Sequence, residues 1–206
     1  MSNVAAGVVV VRRPVPARSA VLEASLLASI LVCLAGCVTV DATLKADGSG
    51  KLQMTYPLSP TGTENLEKRR FTSPHVTVES LKFQADRTAV VSVTFDDATQ
   101  LSSAEGFSNV TVTRGREGDD EHLTLKLTNA KPVALDDDGR PGPKITLTLP
   151  GKVHEANRDA KIEEDRVTWS FSFAAWAKQA SIDLTVRYAA PPASDKGGPK
   201  DAAAPE

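Results

Sequence analysis

VTVDATLKA (Val38–Ala46), DGSG (Asp47–Gly50) and KLQMTYP (Lys51–Pro57) read together as two alternating runs joined by a turn. Apolar and polar residues exchange places at every step, the period of a half-buried strand. Asp-Gly between two such runs is a strong hairpin signal, because glycine takes the positive φ that a tight turn requires. The same grammar recurs down the chain. HVTVESLKFQ, then Asp86-Arg87, then TAVVSVTF gives a second hairpin. VTVTRG and HLTLKL, separated by Gly115 and Gly118-Asp119-Asp120, give a third, and KITLTLPG, RVTWSFSF and SIDLTVRY supply three further strands. Thr and Val fill many of the alternating positions, as pleated, half-buried surfaces favour.

Helical signals are few and short. Thr61 to Arg70 opens with the capping-box pattern Thr61-x-x-Glu64 and offers Leu66 and Phe71 as anchors. Asp96 to Glu105 has Asp96 as cap, Ala98, Leu101 and Ala104 on one face, and Gly106 as terminator. Ala174 to Ala180 reads as a turn or two bearing Trp176. The order hairpin, helix, hairpin, helix, hairpin, strands is that of an α+β fold. The expectation is a single domain with a largely antiparallel sheet of about eight or nine strands and two or three short helices. Pattern alone does not decide whether such a sheet curls around a helix.

The chain has 206 residues, 41% of them apolar, with 24 Lys and Arg against 26 Asp and Glu. That suits one domain with its own core and excludes a chain disordered throughout. A net charge of −2 argues against nucleic acid as a partner. Two cysteines, Cys33 and Cys37, are too few for a disulfide scaffold and too close for a zinc ribbon. The other end, 190–206, is rich in Pro, Ala, Gly and Lys without a large apolar side chain, and is expected to be a disordered polar tail.

Residues 1–36 carry the pattern of an export signal: Arg12, Arg13 and Arg18, then the uncharged run ASLLASILVCLAG from Ala24 to Gly36. As a helix that run spans about 20 Å, short of the roughly 30 Å hydrocarbon core, so a permanent membrane span is not expected. The run ends in Leu34-Ala35-Gly36-Cys37, which resembles the lipobox of bacterial lipoproteins. The resemblance implies diacylglyceryl transfer to the Cys37 thiol, cleavage before Cys37, and usually acylation of the freed amine. Small side chains at 35 and 36 suit a narrow protease cleft, and the thiolate is the good nucleophile nearby. Two or three acyl chains, at about 0.8 kcal/mol per buried CH₂, anchor firmly. The implied body, 37–189, is an exported globule tethered in the cell envelope. The residue after Cys37 is Val38, not the Asp that in many Gram-negative lipoproteins signals inner-membrane retention, so the resemblance implies the outer membrane if the cell has two.

Candidate chemistry is sparse. His75, His122 and His154 lack a second His or a Cys at metal-ligand spacing and read as exposed residues at strand ends or in polar stretches. No nucleophile elbow, phosphate loop or H-E-x-x-H occurs, so no catalytic residue, cofactor or metal is implied. Asp136-Asp137-Asp138-Gly139 and Glu117-Gly118-Asp119-Asp120-Glu121 lack the ligand alternation of a calcium loop and read as solvated turns. Asp47, Glu163, Glu164 and Asp165 read as surface carboxylates. The aromatic residues are more informative, since all follow Cys37 and Trp169, Phe171 and Phe173 recur at every second position, with Trp176 next. On one strand the first three share a face. That stripe is read first as core, against Ile182, Leu184, Val186, Ile145, Leu147 and Leu149. Its functional reading is an apolar pocket for an acyl chain, with Trp169, Phe171, Phe173 and Trp176 as the ligand face.

With the lipobox, the V-x-V-D-x-x-L-x-x-D-G-x-G hairpin from Val38 to Gly50 and L-P-G-K-V-x-x-A-N before V-T-W (Leu149 to Asn157, Val167 to Trp169), the chain resembles the LppM family of bacterial lipoproteins. The resemblance covers most of 37–189. It implies a tethered, non-enzymatic envelope protein with a mixed α/β domain that binds a lipid, glycolipid or other amphipathic ligand. Many members add a C-terminal transmembrane helix, where this chain has its polar tail. The alternative expectation is a structural or adaptor module that docks an envelope protein partner.

Overall fold

The computed structural model describes residues 38–137 and 139–190. The opening hairpin forms as its alternation requires. β1 (Thr39–Leu44) pairs antiparallel with β2 (Gly50–Pro57), and Gly48 takes φ +89° between them. Asp47 accepts hydrogen bonds from the Ser49 hydroxyl (2.7 Å) and amide (2.9 Å), and these bonds, the hydroxyl's first, hold its carboxyl below the ordinary range. α1 (Glu64–Arg70) follows, then β3 (Val76–Phe83) and β4 (Thr88–Phe95). Two 3₁₀ turns, Ala98–Ser103 and Glu105–Phe107, lead to β5 (Val110–Glu117) and β6 (Asp120–Thr128). β7 (Pro141–Thr148), β8 (Val153–Ala156), β9 (Lys161–Glu163), β10 (Arg166–Ser172), α2 (Phe173–Ala177) and β11 (Ser181–Ala189) complete the chain.

The fold is α+β and largely antiparallel. Among the described residues its eleven strands exceed the expected count by the short β8 and β9, and they divide between two sheets, in the orders β3-β4-β2-β1-β7-β10-β9 and β5-β6-β11-β8. β1 and β7 are the parallel pair. The two sheets face each other over one core that includes Val91 and Val93 of the first and Leu184 and Val186 of the second. The cover of the larger sheet is therefore a second sheet rather than a helix.

Three local readings shift. α1 is capped by Thr63, whose hydroxyl accepts from the Leu66 amide (3.4 Å), because Thr61 is engaged in a turn closed by the Gly62 amide on the Ser59 carbonyl. The second helix is a 3₁₀ turn capped by Asp97, which accepts from Thr99 N (2.8 Å), while Asp96 faces His75. The aromatic stripe breaks at a register shift between Ser170 and Ser172. Ser172 caps α2 through the Ala175 amide (3.2 Å), so Phe173 starts a helix and leaves the strand that carries Trp169.

Candidate functional site

Period-two alternation delivers two apolar faces to the space between the sheets, and they do not fill it. A cavity of about 330 Å³ remains. Val38, Val40, Ala42 and Leu44 line it from β1 and the residue before it, Leu52, Met54 and Tyr56 from β2, and Ile145, Leu147 and Leu149 from β7 and its end. Val110, Val112, Leu123, Leu125 and Leu127 face them from β5 and β6. An apolar cavity of roughly 150 Å³ is enough to stay dry and admit a benzene-sized guest, so this one has room for a longer hydrocarbon. Ser59, Glu105, Ser108, Asn109 and Thr128 also line it, where β2 and β6 end and β5 begins, and make a polar mouth.

Beside the mouth stands a buried polar set. The Tyr56 hydroxyl donates to Glu67 Oε2 at 2.6 Å, and Arg70 Nη1 donates to Oε1 and Oε2 of Glu67 at 3.1 and 3.0 Å. Glu67 is 1% exposed, a burial that a carboxylate tolerates only when its oxygens are paired. Arg70 also lies 5.6 Å above the Phe71 ring and lines the cavity. Phe71 packs tilted on Tyr56 (5.6 Å) and Phe107 (5.2 Å). Gly106 permits this, since a Cβ there would stand 2.3 Å from the Phe71 ring. Among the described residues, Arg70 Nε is the buried side-chain polar atom without a hydrogen-bond partner.

A second set closes the opposite end, under the β1–β2 turn. Arg114 Nη2 donates to Glu121 Oε2 (2.7 Å) and to the Ala46 carbonyl (3.2 Å), and the Tyr188 hydroxyl donates to the same Glu121 oxygen (2.6 Å). Burial alone would raise the Glu121 pKa, but the bonds from Arg114 and Tyr188 outweigh it and hold the carboxyl below its ordinary range. Burial, then the bond to Glu121, pushes the Tyr188 phenol well above its usual range. Gly48 leaves room for this set, because a Cβ there would stand 2.5 Å from Arg114 Nη1.

The residues singled out from sequence fall as follows. Leu34, Ala35, Gly36 and Cys37 lie outside the described residues, as do 191–206 and Asp138. Of the four candidate ligand-face aromatics, Trp176 lines the cavity. Trp169 is packed in the core with its indole N–H on the Asn157 carbonyl (2.9 Å). Phe171 is half-buried edge-on against Trp176, and Phe173 is buried under the Arg140 guanidinium. The histidines pair singly with carboxylates: His75 with Asp96 (3.1 Å), His122 with Glu117 (3.5 Å), and His154 with Asp120 (3.4 Å). Among the described residues, no group of three His, Cys, Asp or Glu is placed to hold a metal ion.

The acidic stretch 117–121 is corrected in part. Asp119 is exposed, but Glu121 turns inward and Asp120 pairs with Arg187 (2.9 Å). The reason is strand parity: Glu121 shares a face with Leu123, Leu125 and Leu127. Asp136 and Asp137 are exposed, as are Asp47, Glu163, Glu164 and Asp165. The sets of Glu67 and Glu121 escaped the sequence reading. Parity could have found Glu121, Arg114 and Tyr188, each in step with an inward apolar series. Nothing comparable marks Glu67 on its short helix. No described helix is long and apolar enough to cross a membrane. No protein-family profile, curated protein or solved structure matches this chain.

Proposed function

We propose that this chain is a lipid-anchored, non-enzymatic envelope protein whose two-sheet body holds the acyl part of an amphipathic ligand, a lipid or glycolipid. The observation that carries the reading is the cavity of about 330 Å³, apolar along its walls and polar at its mouth. Burying a chain there gains about 0.8 kcal/mol per CH₂ taken from water, and a wet mouth accommodates a headgroup. The lipobox-like Leu34-Ala35-Gly36-Cys37 supports the anchor. Val38, the residue after Cys37, lines the cavity, so the tether would leave from the cavity's own neighbourhood.

Native mass spectrometry of the full chain, expressed in a bacterial host and extracted in mild detergent, tests the ligand. The expected result is a non-covalent adduct with the mass of an acyl lipid, lost when Ala42 is replaced by Phe to fill the cavity. An adduct that survives this substitution in folded protein, or none in repeated preparations, ends the ligand reading. Metabolic labelling with palmitate tests the anchor separately: Cys37→Ser is expected to abolish incorporation and leave an uncut chain. Label entering that variant would place the modification elsewhere.

A further inference from the structure

We infer that the cavity selects amphiphiles with a single oxyanion headgroup, a carboxylate or phosphate, and that Arg70 at its mouth is the selecting residue. The inference rests on the acyl-binding reading and adds the ligand's charge. Arg70 lines the cavity with its side chain 22% exposed, and Nη1 is spent on Glu67. Its Nε–H is buried and idle. A buried donor without an acceptor is destabilising and uncommon in folded proteins, and a group brought by a ligand is one way to satisfy it. The Tyr56 hydroxyl and both Glu67 oxygens are already engaged with each other and with Arg70 Nη1, so what the set has left to offer is the Nε–Nη2 edge of the guanidinium.

The charge balance sets what kind of acceptor fits. Glu67 already neutralises Arg70, so the mouth has no surplus positive field to draw anions from a distance. Selection is instead by oriented N–H groups on that edge of the guanidinium, and such charge-assisted bonds to an oxyanion are about twice as strong as bonds between neutral groups. Ser59, Ser108 and Thr128 at the mouth add hydroxyl groups that can donate to the remaining oxygens. Glu105, also at the mouth, is exposed and adds a negative charge there, so net charge is not what would favour an anion.

The test uses the full chain in nanodiscs of neutral phosphatidylcholine and dodecyl probes with a photoreactive group in the chain: dodecanoic acid, dodecyl lysophosphatidate and dodecanol. Labelling is mapped by peptide to 38–57, 105–130 and 143–149, which contain most of the lining. The acid, the lysophosphatidate or both are expected to label roughly tenfold more than dodecanol. Which of them does so identifies the headgroup. Arg70→Gln is expected to bring labelling by both anions down to that of dodecanol in the same variant. Should that variant fail to fold, the double variant Glu67→Gln with Arg70→Gln replaces it, since it leaves no buried charge, with the same expectation. Equal labelling of the wild type by dodecanol and both anions overturns this inference alone, as does a preference that survives in the folded variant. Absence of any label from the lining overturns the acyl-binding reading and this inference with it.

Discussion

The two ends of the inter-sheet space are built from the same three residue types and finished differently. At the closed end Glu121 accepts from Arg114 and Tyr188, and Arg114 also bonds the Ala46 carbonyl of the β1–β2 turn. At the mouth Glu67 accepts from Arg70 and Tyr56 through bonds of similar length, yet Arg70 keeps one buried N–H idle. A Tyr–Glu–Arg set is thus not a function in itself. With its guanidinium bonded to the turn as well as to its carboxylate, it is a plug that ties one sheet to a turn of the other. With a donor left over beside an apolar cavity, it becomes a place for an acceptor from outside.

Breaking the plug should have the largest effect. Glu121→Leu leaves the Arg114 guanidinium, four-fifths buried, without its carboxylate, and is expected to cost about 3 kcal/mol in urea unfolding. Because the closed end is out of a ligand's reach, added dodecanoic acid should not restore the loss. A rescue would mean that the two ends are not separate. The same carboxyl, held below its ordinary range by its two donors, contributes stability that is present above about pH 4.5 and lost as pH falls through its folded value. The variant's acid limb should therefore be flatter.

Deleting one hydroxyl should have a middling effect. Tyr188→Phe removes a 2.6 Å bond to a carboxylate and is expected to cost about 2 kcal/mol at neutral pH. The phenol's pKa is raised in the fold, so its contribution is fully present below the ordinary tyrosine value of about 10. It is lost as pH rises from there through the folded value. The gap between wild type and Tyr188→Phe should therefore narrow in urea titrations carried upward past pH 10. A gap that stays constant would show that the bond does not shift the titration.

Much of this architecture was legible because its signals are local. The three hairpins announce themselves through Asp47-Gly48, Asp86-Arg87 and Gly118, each of which supplies a positive φ at its turn, Arg87 at 64° and Gly118 at 61°. The division into two sheets was not legible. β1 and β7 pair across roughly the middle half of the chain, and both sheets use the same alternation. The cavity escaped for a related reason. Its walls are ordinary apolar faces of β1, β2, β5, β6 and β7, whereas aromatic spacing drew the reading to β10. There Ser172 ends the strand by capping α2, a choice between two local signals that only the packing of Phe173 and Trp176 resolves. Glu67 and Arg70 stand three apart on one helix, a spacing that marks a pair but not its burial, and Tyr56, the other partner, comes from another element.

The smallest expected effect is the control for both ends. Lys51 and Glu79 make an ion pair at 3.3 Å on the outer face of the larger sheet, where a register shift between Val78 and Ser80 interrupts β3. Their side chains are 65% and 42% exposed, against 20% and 13% for Arg114 and Glu121. Water solvates each charge alone nearly as well as the pair, and ordering two long side chains consumes most of the Coulomb gain. Glu79→Gln should therefore change stability by less than about 0.5 kcal/mol, and by less still in high salt. Distance alone does not separate this pair from the inner sets, whose nitrogen–oxygen contacts run from 2.7 to 3.2 Å. Burial does, because only inside the fold does losing one partner strand the other. A loss at Glu79 as large as that at Glu121 would refute burial as the cause, and with it the reason for treating the idle N–H of Arg70 as a binding determinant.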